Sequence, residues 1–266
     1  MSDVLATGSR HLVPAERRRQ ILELLRERGS IAVAEVEEGF GVSPMTARRD
    51  LAQLAEEGRA RRTHGGAVLA ELAGHENSFE SRLTQDVDEK QRLARAVLAT
   101  LTPHETVFID SSTTAHYVVR EILRARLALT VITNSIPAIS TITNAEGTDV
   151  ELIGLGGGLR PVSKSFVGSE TARAIRDVYV DRLVFSVKGI EREGFLTDPD
   201  PLEAEVKRAM VERARTVVLV AAGRKFDERG LHVIAHATNV HVAYLADAPS
   251  DGAQALQQAG VQVHLV

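Results

Sequence analysis

The N-terminal fold is decided by residues 43–67, which read SPMTARRDLAQLAEEGRARRTHGGA. Ser43 and Pro44 favour the start of a helix, because a serine side chain caps the first turn and proline occupies its first position without losing a hydrogen bond. A basic stretch follows this helix. Its adjacent glycines, Gly65 and Gly66, predict the turn of a short β-hairpin.

The predicted helix, residues 44–57, has two different faces when successive residues are placed about 100° apart. The apolar face, which would pack on neighbouring helices, consists of Ala47, Leu51 and Leu54. The opposite face consists of Met45, Arg48, Arg49 and Ala52. Adjacent arginines between small or flexible side chains are typical of a recognition helix, whose arginines reach guanine edges in the major groove of DNA.

Two shorter helices are predicted before this one, over residues 14–28 and 32–40, from their apolar spacing and terminal glycines. The hairpin over 59–66 adds a basic wing, and the hydroxyls of Ser43 and Thr46 suit a DNA phosphate. The basic side chains of the wing are Arg59, Arg61, Arg62 and His64. An arginine pair or a basic turn alone is equally typical of a solvated surface. Their combination in this order favours DNA binding.

This stretch closely resembles the winged helix-turn-helix of the DeoR family of bacterial transcriptional regulators. The resemblance rests on Ser43-Pro-Met-Thr-Ala-Arg-Arg-Asp-Leu51 followed by Arg62-Thr-His-Gly-Gly-Ala67. In that family the third helix enters the major groove. The resemblance implies DNA contacts for Ser43, Met45, Thr46, Arg48, Arg49, Arg62, Thr63 and His64. Asp50 falls off the outward face, and we expect it to pair with a nearby arginine.

The composition excludes several other classes of protein. The 266 residues are 44% hydrophobic, which is ordinary for a globular chain, and they contain no apolar run long enough for a transmembrane helix. No secretory signal is visible at the N-terminus, so a cytoplasmic location is expected. The absence of cysteine excludes disulfides and thiolate metal sites. Because residues 1–72 hold 11 arginines and 11 acidic residues, nucleic-acid contact depends on arginines clustered on one face.

From about residue 89 onward, short β-branched runs alternate with helical segments, which predicts a largely parallel sheet covered by helices. The predicted strands are 106–109, 129–133, 150–155, 182–187, 217–221, 242–245 and 261–266. The predicted helices include 90–101, 115–124, 170–177, 203–214 and 253–259. The polar stretch 71–88 shows neither the apolar spacing of a helix nor the alternation of a strand. We interpret it as a linker between a DNA-binding domain, 1–70, and an α/β domain, 89–266.

The turn Ile109-Asp-Ser-Ser-Thr-Thr-Ala-His116 is the most informative one in the C-terminal part. A strand is predicted to end at Asp110 and a helix to begin near Thr113, and open α/β sheets bind ligands at the carboxyl ends of their strands. The four consecutive hydroxyl residues 111–114, together with the unpaired N–H groups of a helix start, form a cradle for a phosphate. Plain N-capping would require only one of these hydroxyls, so the run of four favours anion binding.

A second candidate site is Leu155-Gly-Gly-Gly-Leu-Arg160. Its glycines allow a ligand to approach the backbone closely, and Arg160 can hold a phosphate or a carboxylate. The spacing matches neither a dinucleotide fingerprint nor a Walker loop, and a simple tight turn explains it equally well. Lys188, Lys207 and Lys225 could lie at the same end of the sheet and neutralise an anionic ligand, although each alone is typical of a surface lysine.

Residues from about 75 to 247 resemble the sensor domain of the DeoR family, which is similar in fold to ribose phosphate isomerases. The effectors of that family are phosphorylated sugars or polyols. The matching segments include Phe79, Arg82, Lys90, Thr133-Asn-Ser135, Phe166-Val-Gly168 and Val206-Lys-Arg-Ala-Met210. The effector site is expected to comprise Asp110, Ser111, Ser112, Thr113, Thr114, Asn134, Gly156, Gly157, Arg160, Lys188, Lys207 and Lys225. The chain departs from the family pattern at Ser112, at 185–188 and at 221–225.

The sequence thus predicts an α/β protein with an N-terminal winged helix-turn-helix and a C-terminal sensor domain. We expect a repressor of carbohydrate metabolism genes that binds double-stranded operator DNA as a homodimer or homotetramer. A phosphorylated sugar or polyol would modulate that binding. No cofactor, metal, membrane partner or catalytic residue is expected; four histidines near the C-terminus, at 232, 236, 241 and 264, fit no ligand spacing.

The sequence leaves two alternatives to a ligand-responsive regulator. A sugar-phosphate isomerase would need a carboxylate base and a cation that stabilises the enediolate. The candidates for these roles are Glu191, Asp198, Glu203 and Lys207. A ligand-independent DNA-binding protein would explain the N-terminal part but would leave the hydroxyl-rich turn without a role. The attached winged helix has no use in a metabolic enzyme, which favours the regulator.

Overall fold

The chain divides into two compact units, residues 1–75 and 76–266. The structure, a computed structural model, describes residues 13–28, 30–57, 59–62, 65–69 and 77–266. Within those ranges, no helix combines the length and the apolar character needed to cross a membrane.

The first unit is a three-helix domain with a small antiparallel sheet. Its described elements are α1 Pro14–Arg28, β1 Ser30–Ala32, α2 Val33–Phe40, α3 Pro44–Glu56, β2 Ala60–Arg62 and β3 Gly66–Leu69. The strand order is β1-β3-β2, so β2 and β3 form the predicted wing on one side of the sheet. The sequence did not predict β1, because three residues are too few to show an alternating pattern.

One side of each helix supplies the core of this unit. The buried side chains include Ile21, Leu22, Leu25, Val36, Leu51 and Leu54. Gly66 was predicted in the hairpin turn but is the first residue of β3. A Cβ at Gly66 would lie 2.1 Å from the carbonyl oxygen of Ile31, so the close approach of β1 requires glycine there. The predicted DNA contacts Thr63 and His64 lie outside the described residues.

The second unit contains a seven-stranded sheet with helices on both faces. Its described helices are α4 Phe79–Leu83, α5 Val87–Leu98, α6 Thr113–Ala125, α7 Ile136–Thr143, α8 Ser169–Arg176, α9 Pro201–Glu212 and α10 Ser250–Gln258. Its described strands are β4 Thr106–Ile109, β5 Leu129–Thr133, β6 Val150–Gly154, β7 Gly158–Arg160, β8 Ser165–Val167, β9 Val180–Phe185, β10 Gly189–Ile190, β11 Phe195–Asp198, β12 Ala214–Ala222, β13 His232–His236, β14 Val242–Ala246 and β15 Gln262–Leu265.

The large sheet has the order β15-β14-β12-β9-β4-β5-β6, and every adjacent pair is parallel. Alternate side chains of β4 enter different cores. Phe108 packs with residues of α8, α9 and α10, while Val107 and Ile109 pack with α5, α6 and α7. This explains why the strands are apolar runs, because both faces of a parallel sheet are buried.

The chain order reverses between β4 and β9. From β4 the chain continues to β5 and β6 on one side, and it returns at β9 to build the other side. Such a reversal opens a crevice at the carboxyl ends of the two central strands, where ligands of open α/β sheets bind. Asp110 directly follows β4 and Ser186 directly follows β9.

Part of the predicted linker, 71–88, is regular structure. The boundary between the units falls at 75/76, and helix α4 together with the first turn of α5 lies inside the predicted linker. Ser78 caps α4 by accepting a hydrogen bond from the Ser81 N–H at 3.2 Å. Phe79 is buried with its ring edge-on to His116 at 5.6 Å between centroids. A five-residue helix anchored by one aromatic ring carries no visible period, which is why the sequence pattern missed it.

Other helices and strands confirm the predicted alternation within a few residues at their ends. The sequence analysis did not identify α7, whose Pro137 occupies the first turn. It also did not resolve the small sheet β10-β11-β13. This sheet lies next to the predicted lysine positions, since Lys188 immediately precedes β10.

Candidate functional site

Helix α3 is oriented by a buried ion pair. The Asp50 carboxylate accepts a hydrogen bond from Arg17 Nε at 2.5 Å, and Arg18 Nη1 lies 3.4 Å from the same carboxylate. Both Arg17 and Asp50 are buried. This confirms the expectation that Asp50 pairs with a nearby arginine, which is supplied by α1. The pair fixes which side of α3 faces the domain core.

The outward face of α3 is open. Met45 is 73% exposed, and Arg48 and Arg49 are exposed as well, without an ion pair in the described part of the chain. The Ser43 hydroxyl accepts a hydrogen bond from the Thr46 N–H at 3.2 Å and lies 2.9 Å from the Thr46 hydroxyl. The Ser43 hydroxyl therefore caps the helix, and the Thr46 hydroxyl lies beside it at the N-terminus. The side chain of Arg62 is outside the described part, together with Thr63 and His64.

In the second unit, a cleft opens at the carboxyl ends of β4, β9 and β12. Its wall combines hydroxyl, cationic and acidic side chains, and its described lining is Asn77, Arg82, Asp86, Lys90, Ser111, Ser112, Thr113, Thr114, Ser163, Ser186, Val187, Lys188, Asp198, Pro199, Glu203, Lys207, Ala222, Arg224 and Lys225. The cleft therefore lies at the reversal between β4 and β9, which is where the topology predicts a ligand.

Asp110 organises the turn after β4. Its Oδ1 accepts hydrogen bonds from the Ser112 N–H at 3.1 Å and the Ser112 hydroxyl at 2.5 Å, and its Oδ2 accepts one from the Ser186 N–H at 3.2 Å. Burial raises the pKa of Asp110, and the nearby Lys207 and these hydrogen bonds oppose the rise. Asp110 thus holds the ends of β4 and β9 together beneath the cleft.

The first turn of α6 faces the cleft. The Ser112 hydroxyl caps the helix by accepting a hydrogen bond from the Ala115 N–H at 3.1 Å. Thr113 and Thr114 follow as the first two helical residues, and both line the cleft. Because the first N–H groups of a helix have no intrahelical acceptor, these two residues offer N–H and hydroxyl donors to a bound anion.

Lys207 is buried among acidic groups. Its Nζ lies 2.7 Å from Asp198 Oδ2 and 3.6 Å from Asp110 Oδ2. Burial alone would lower the pKa of Lys207, but Asp198, Asp110 and Glu203 raise it above its usual value. Lys207 is therefore a permanently charged counter-ion of the cleft floor, and its charge is already balanced by carboxylates. Lys207 lines the cleft, and its role toward an anionic ligand stays a prediction.

Glu203 connects two hydroxyl-bearing loops. Its Oε2 accepts a hydrogen bond from the Ser111 hydroxyl at 3.0 Å, and its Oε1 accepts one from the Ser165 hydroxyl at 2.5 Å. Ser165 in turn lies 2.8 Å from the Ser163 hydroxyl on the cleft wall. Ser111 therefore supports the cleft through Glu203.

A group of cations surrounds Glu228 on the other side of the cleft. The Glu228 carboxylate lies 2.9 Å from Lys225 Nζ, 3.0 Å from Arg224 Nη1 and 3.3 Å from Lys188 Nζ. Arg224 also pairs with Asp86. Burial lowers the pKa of Lys225 to about 8, against the opposing effect of Glu228.

Lys90 is a further buried cation of the cleft. Its ammonium group donates hydrogen bonds to the backbone carbonyls of Arg82 and Gln85, which closes the turn between α4 and α5. Burial lowers the pKa of Lys90 to about 8, and the neighbouring arginines Arg224 and Arg82 contribute to the same direction. Among the described residues no carboxylate forms an ion pair with Lys90, although the charges of Asp86 and Glu89 oppose the lowering of its pKa.

Besides Asp110, which lies beneath the cleft, four predicted effector residues do not line it. The Asn134 amide donates a hydrogen bond to the Phe166 carbonyl at 2.8 Å and so holds β8 in place. The Gly156 carbonyl accepts a hydrogen bond from the Thr171 hydroxyl at 2.8 Å. A Cβ at Gly157 would lie 2.0 Å from that hydroxyl, so this glycine permits packing on α8. These three residues therefore make contacts within the fold, and the effector role predicted for them stays a prediction.

Arg160 is the fourth of these residues. Its Nε lies 3.1 Å from the Asp200 carboxylate, and its Nη1 donates a hydrogen bond to the Ser163 hydroxyl at 3.1 Å. Arg160 therefore supports the cleft wall from behind. The prediction of a direct phosphate contact for the segment 156–160 does not match this arrangement.

Several cleft residues were absent from the predicted effector set. They are Asn77, Arg82, Asp86, Lys90, Ser163, Ser186, Asp198, Glu203 and Arg224. Arg82 and Lys90 carried a signal, because both lie in a segment that resembles the DeoR sensor domain. Asp198 and Glu203 were considered only as isomerase acids. Arg224 stands beside the predicted Lys225, but no sequence pattern distinguishes it from a surface arginine.

Several residues considered as isomerase acids or as metal ligands form ion pairs or hydrogen bonds within the fold. Glu191 pairs with Arg229 at 3.0 Å. His236 Nε2 lies 2.9 Å from the Glu193 carbonyl, and the His241 ring accepts a hydrogen bond from the Val217 N–H at 3.0 Å. In the described part of the chain, no group of three or more histidine and acidic side chains is arranged to hold a metal ion.

Two family models match the chain, one to each unit. Residues 17–72 match the DeoR-like helix-turn-helix domain, and residues 85–244 match the DeoR C terminal sensor domain. The family resemblance inferred from residues 43–67 and from the sensor segments is confirmed by these two matches.

Curated relatives match over most of their length. A putative aga operon transcriptional repressor of Escherichia coli O157:H7 is 32% identical over 100% of this chain and 99% of its own. The glycerol-3-phosphate regulon repressor of Escherichia coli K12 is 33% identical over 88% of this chain and 91% of its own.

Solved structures to which the chain has a weak similarity include a ribose 5-phosphate isomerase from Methanocaldococcus jannaschii. It has 16% sequence identity and a TM-score of 0.39, over 53% of this chain and 55% of the isomerase. A similarity of this extent carries no information about function.

Proposed function

The chain belongs to the DeoR family of transcriptional regulators, and from this premise we propose that it represses its target genes until a phosphorylated ligand enters the cleft. The observation that carries the proposal is the arrangement of Arg48-Arg49-Asp50. The acidic residue is buried against α1, whereas both arginines remain exposed and unpaired in the described structure. Exposed arginines on the second helix of a helix-turn-helix can reach base edges and phosphates in the major groove.

We assign operator contact to the outward face of α3 and to the wing. Arg48 and Arg49 would read bases, because a guanidinium binds guanine through two parallel hydrogen bonds. Ser43 and Thr46 at the helix start would bind a phosphate, and Met45 would pack in the groove. The wing contacts proposed from the family pattern are Arg62, Thr63 and His64.

We assign the phosphate of the effector to the first turn of α6. Thr113 and Thr114 offer N–H and hydroxyl groups, and the positive end of the helix dipole favours a negative charge there. Lys188, Lys225 and Lys90 supply positive charge around the same cleft. A phosphorylated sugar or polyol is the class of ligand that such a site suits, and the glycerol-3-phosphate regulon repressor is named for such a ligand.

The repressor would act in the cytoplasm as a homodimer or homotetramer. One small DNA-binding unit buries too little surface for strong specificity, whereas two units bound to two half-sites multiply their affinities. The effector would favour an arrangement of subunits in which the spacing of these units no longer matches the operator. A useful switch of this kind requires a coupling free energy of about 1–3 kcal/mol.

The proposal is tested by fluorescence anisotropy with labelled DNA from upstream of the gene for this protein. The full chain is titrated in the presence of excess random competitor, with and without a pool of phosphorylated sugars and polyols. We expect competitor-resistant binding that weakens when the pool is added. Arg215→Gln, an exposed arginine of the second unit, serves as a control for nonspecific loss of positive charge.

Two other results of the anisotropy titration would contradict the proposed function. Specific binding that ignores every compound in the pool would contradict sensing and leave a ligand-independent DNA-binding protein. Failure to bind both this DNA and a genome-derived DNA library would contradict the regulator itself, and an aldose–ketose isomerase assay would follow.

A further inference from the structure

The cations of the cleft divide into two groups with different charge balance. On the cleft floor, Lys207 faces three acidic groups, Asp110, Asp198 and Glu203. The opposite group, which we name the basic wall, contains Lys90, Lys188, Arg224 and Lys225, with Asp86 and Glu228 as acidic partners. Four cations against two carboxylates leave the basic wall with an excess of positive charge.

The backbone of the basic wall is tightly fixed. The Lys188 N–H donates a hydrogen bond to the Thr197 carbonyl at 2.9 Å. A Cβ at Gly189 would lie 2.1 Å from the Glu228 carbonyl oxygen, and a Cβ at Gly223 would lie 1.9 Å from the Asp247 carbonyl oxygen. The segments that carry Lys188, Arg224 and Lys225 thus pack backbone against backbone.

One carboxylate is shared by three cations of the basic wall. Glu228 contacts Lys188, Arg224 and Lys225, and the side chains of Lys188 and Glu228 are 22% and 24% exposed. Glu228, together with Asp86 on Arg224, supplies two negative charges against three positive ones. Partial burial strengthens the attraction of these cations for an additional anion.

Two residues of the basic wall, Arg224 and Lys225, lie two strand positions away from the phosphate cradle. Arg224 and Lys225 follow β12, Thr113 and Thr114 follow β4, and β9 lies between these two strands. Neighbouring strands are about 4.8 Å apart, so the ends of β12 and β4 are separated by about 10 Å. An extended chain advances about 1.1–1.2 Å per covalent bond, so this distance corresponds to about eight or nine bonds.

We propose that the effector carries an anionic group at each end, with one group on the first turn of α6 and the other on Lys188, Arg224 and Lys225. The bond count corresponds to a five- or six-carbon sugar phosphorylated at both ends. This inference rests on the proposed function, because it names the ligand of the same sensor cleft. The second anion displaces Glu228 from its cations, so the wall is preformed but closed by a replaceable carboxylate.

The test compares matched ligands by isothermal titration calorimetry on the full chain. The pairs are ribulose 5-phosphate with ribulose 1,5-bisphosphate, and fructose 6-phosphate with fructose 1,6-bisphosphate. We expect at least one bisphosphate to bind ten times more tightly than its monophosphate. Equal affinity within both pairs, tighter binding of the monophosphates, or no binding of any of the four would overturn the inference.

Variants locate the second anion. Lys188→Gln and Arg224→Gln should reduce the affinity for the bisphosphate at least fivefold more than that for the monophosphate. Glu228→Gln should raise the bisphosphate affinity, because it removes the competing carboxylate; a merely structural role of Glu228 would lower it. Lys164→Gln and Arg215→Gln, which lie outside the cleft, are the matched controls. An unchanged bisphosphate preference in Lys188→Gln and Arg224→Gln would place the second anion elsewhere and overturn the assignment.

Different results would overturn the second anionic group of the effector and the sensing function itself. If monophosphates bind as well as bisphosphates and release operator DNA, the proposed function stands and only the second anionic group is wrong. If no phosphorylated ligand releases operator DNA, the sensing function itself fails.

Discussion

On helix α3, Arg48 and Arg49 stand exposed and unpaired in the described structure, and the neighbouring Asp50 is buried against Arg17. In the cleft of the second unit the arrangement is different. Lys207 contacts two carboxylates, and Lys225 shares Glu228 with two other cations. The first unit keeps its acidic group away from the cations that face solvent, while the second holds its cations and acids together.

Under the proposed function, this difference suits two kinds of anionic partner. A DNA backbone supplies many phosphates, so exposed arginines need no preformed partner, and their contribution falls as salt screens the charges. A small ligand supplies one or two anionic groups, and the cations must be held in place before it arrives. Buried acidic groups hold them there and limit the cost of burying positive charge.

The largest effect is expected from breaking the buried ion pairs of the cleft floor. Lys207→Met leaves Asp110 and Asp198 without their counter-ion, so it should reduce the free energy of unfolding by about 3–5 kcal/mol. Circular dichroism during urea unfolding of the full chain measures this loss. Lys164→Met, which removes an exposed lysine, is the control and should change stability little. Equal stability of both variants would contradict the paired state of Lys207.

Substitution of the exposed arginines of α3 should weaken DNA binding and leave the stability of the fold unchanged. Arg48→Ala or Arg49→Ala should weaken specific operator binding by about 1–3 kcal/mol each, because each removes contacts to a base edge, and should leave the stability unchanged. Anisotropy measures binding, and thermal unfolding measures stability. Arg176→Ala, an arginine of the second unit that is half exposed, is the control. A variant that loses stability but retains operator affinity would show that α3 does not read DNA.

A charge placed in the phosphate cradle should separate sensing from DNA binding. Thr113→Glu adds a carboxylate where the phosphate is expected, so repulsion should weaken the response to effector at least about tenfold, which is about 1.4 kcal/mol. Operator affinity without effector should be retained. Thr113→Gln adds similar bulk without charge and should weaken the response less. If Thr113→Glu responds normally, the phosphate binds elsewhere.

The smallest effect is a dependence of effector affinity on pH. Burial lowers the pKa of Lys225 to about 8, so its side chain is charged at pH 7 and becomes neutral above pH 8. An anion favours the charged form. Its affinity should therefore be highest below pH 8 and fall above it, by at most about tenfold per pH unit for one proton. Calorimetric titrations between pH 6.5 and 9.5 measure this change.

The lowered pKa of Lys225 also makes the free energy of unfolding depend on pH. In the unfolded chain Lys225 holds its proton up to about pH 10.4. Between pH 8 and that value the unfolded state binds more protons, so its contribution to the free energy of unfolding should rise with pH. Lys225→Arg keeps the charge at every pH and should flatten the decline in affinity above pH 8. A decline that persists in this variant, and also when Lys90→Arg is added, would assign it to another group.

Local patterns explain what could be predicted of the fold. The two faces of α3, the caps at Ser43 and Ser112, and the alternation of strands and helices all depend on residues that lie close together in the chain. The elements that the sequence pattern missed depend on contacts with distant segments. Helix α4, for example, is anchored by the packing of Phe79 on His116. A five-residue helix has no period that could identify it before its partner is known.

The sequence by itself determined helix α3 with its two faces, the position of Asp50 off the outward face, and the hydroxyl-rich turn after β4, because each is encoded within one or two helical turns or a single strand end. Only the tertiary structure decided which cations line the cleft. Lys90, Lys188 and Arg224 reach it from three separate segments, while Asn134 and Gly157 turn out to hold the fold together. The physical reason is that pairing and burial set the effect of a charge, and both depend on segments far apart in the chain.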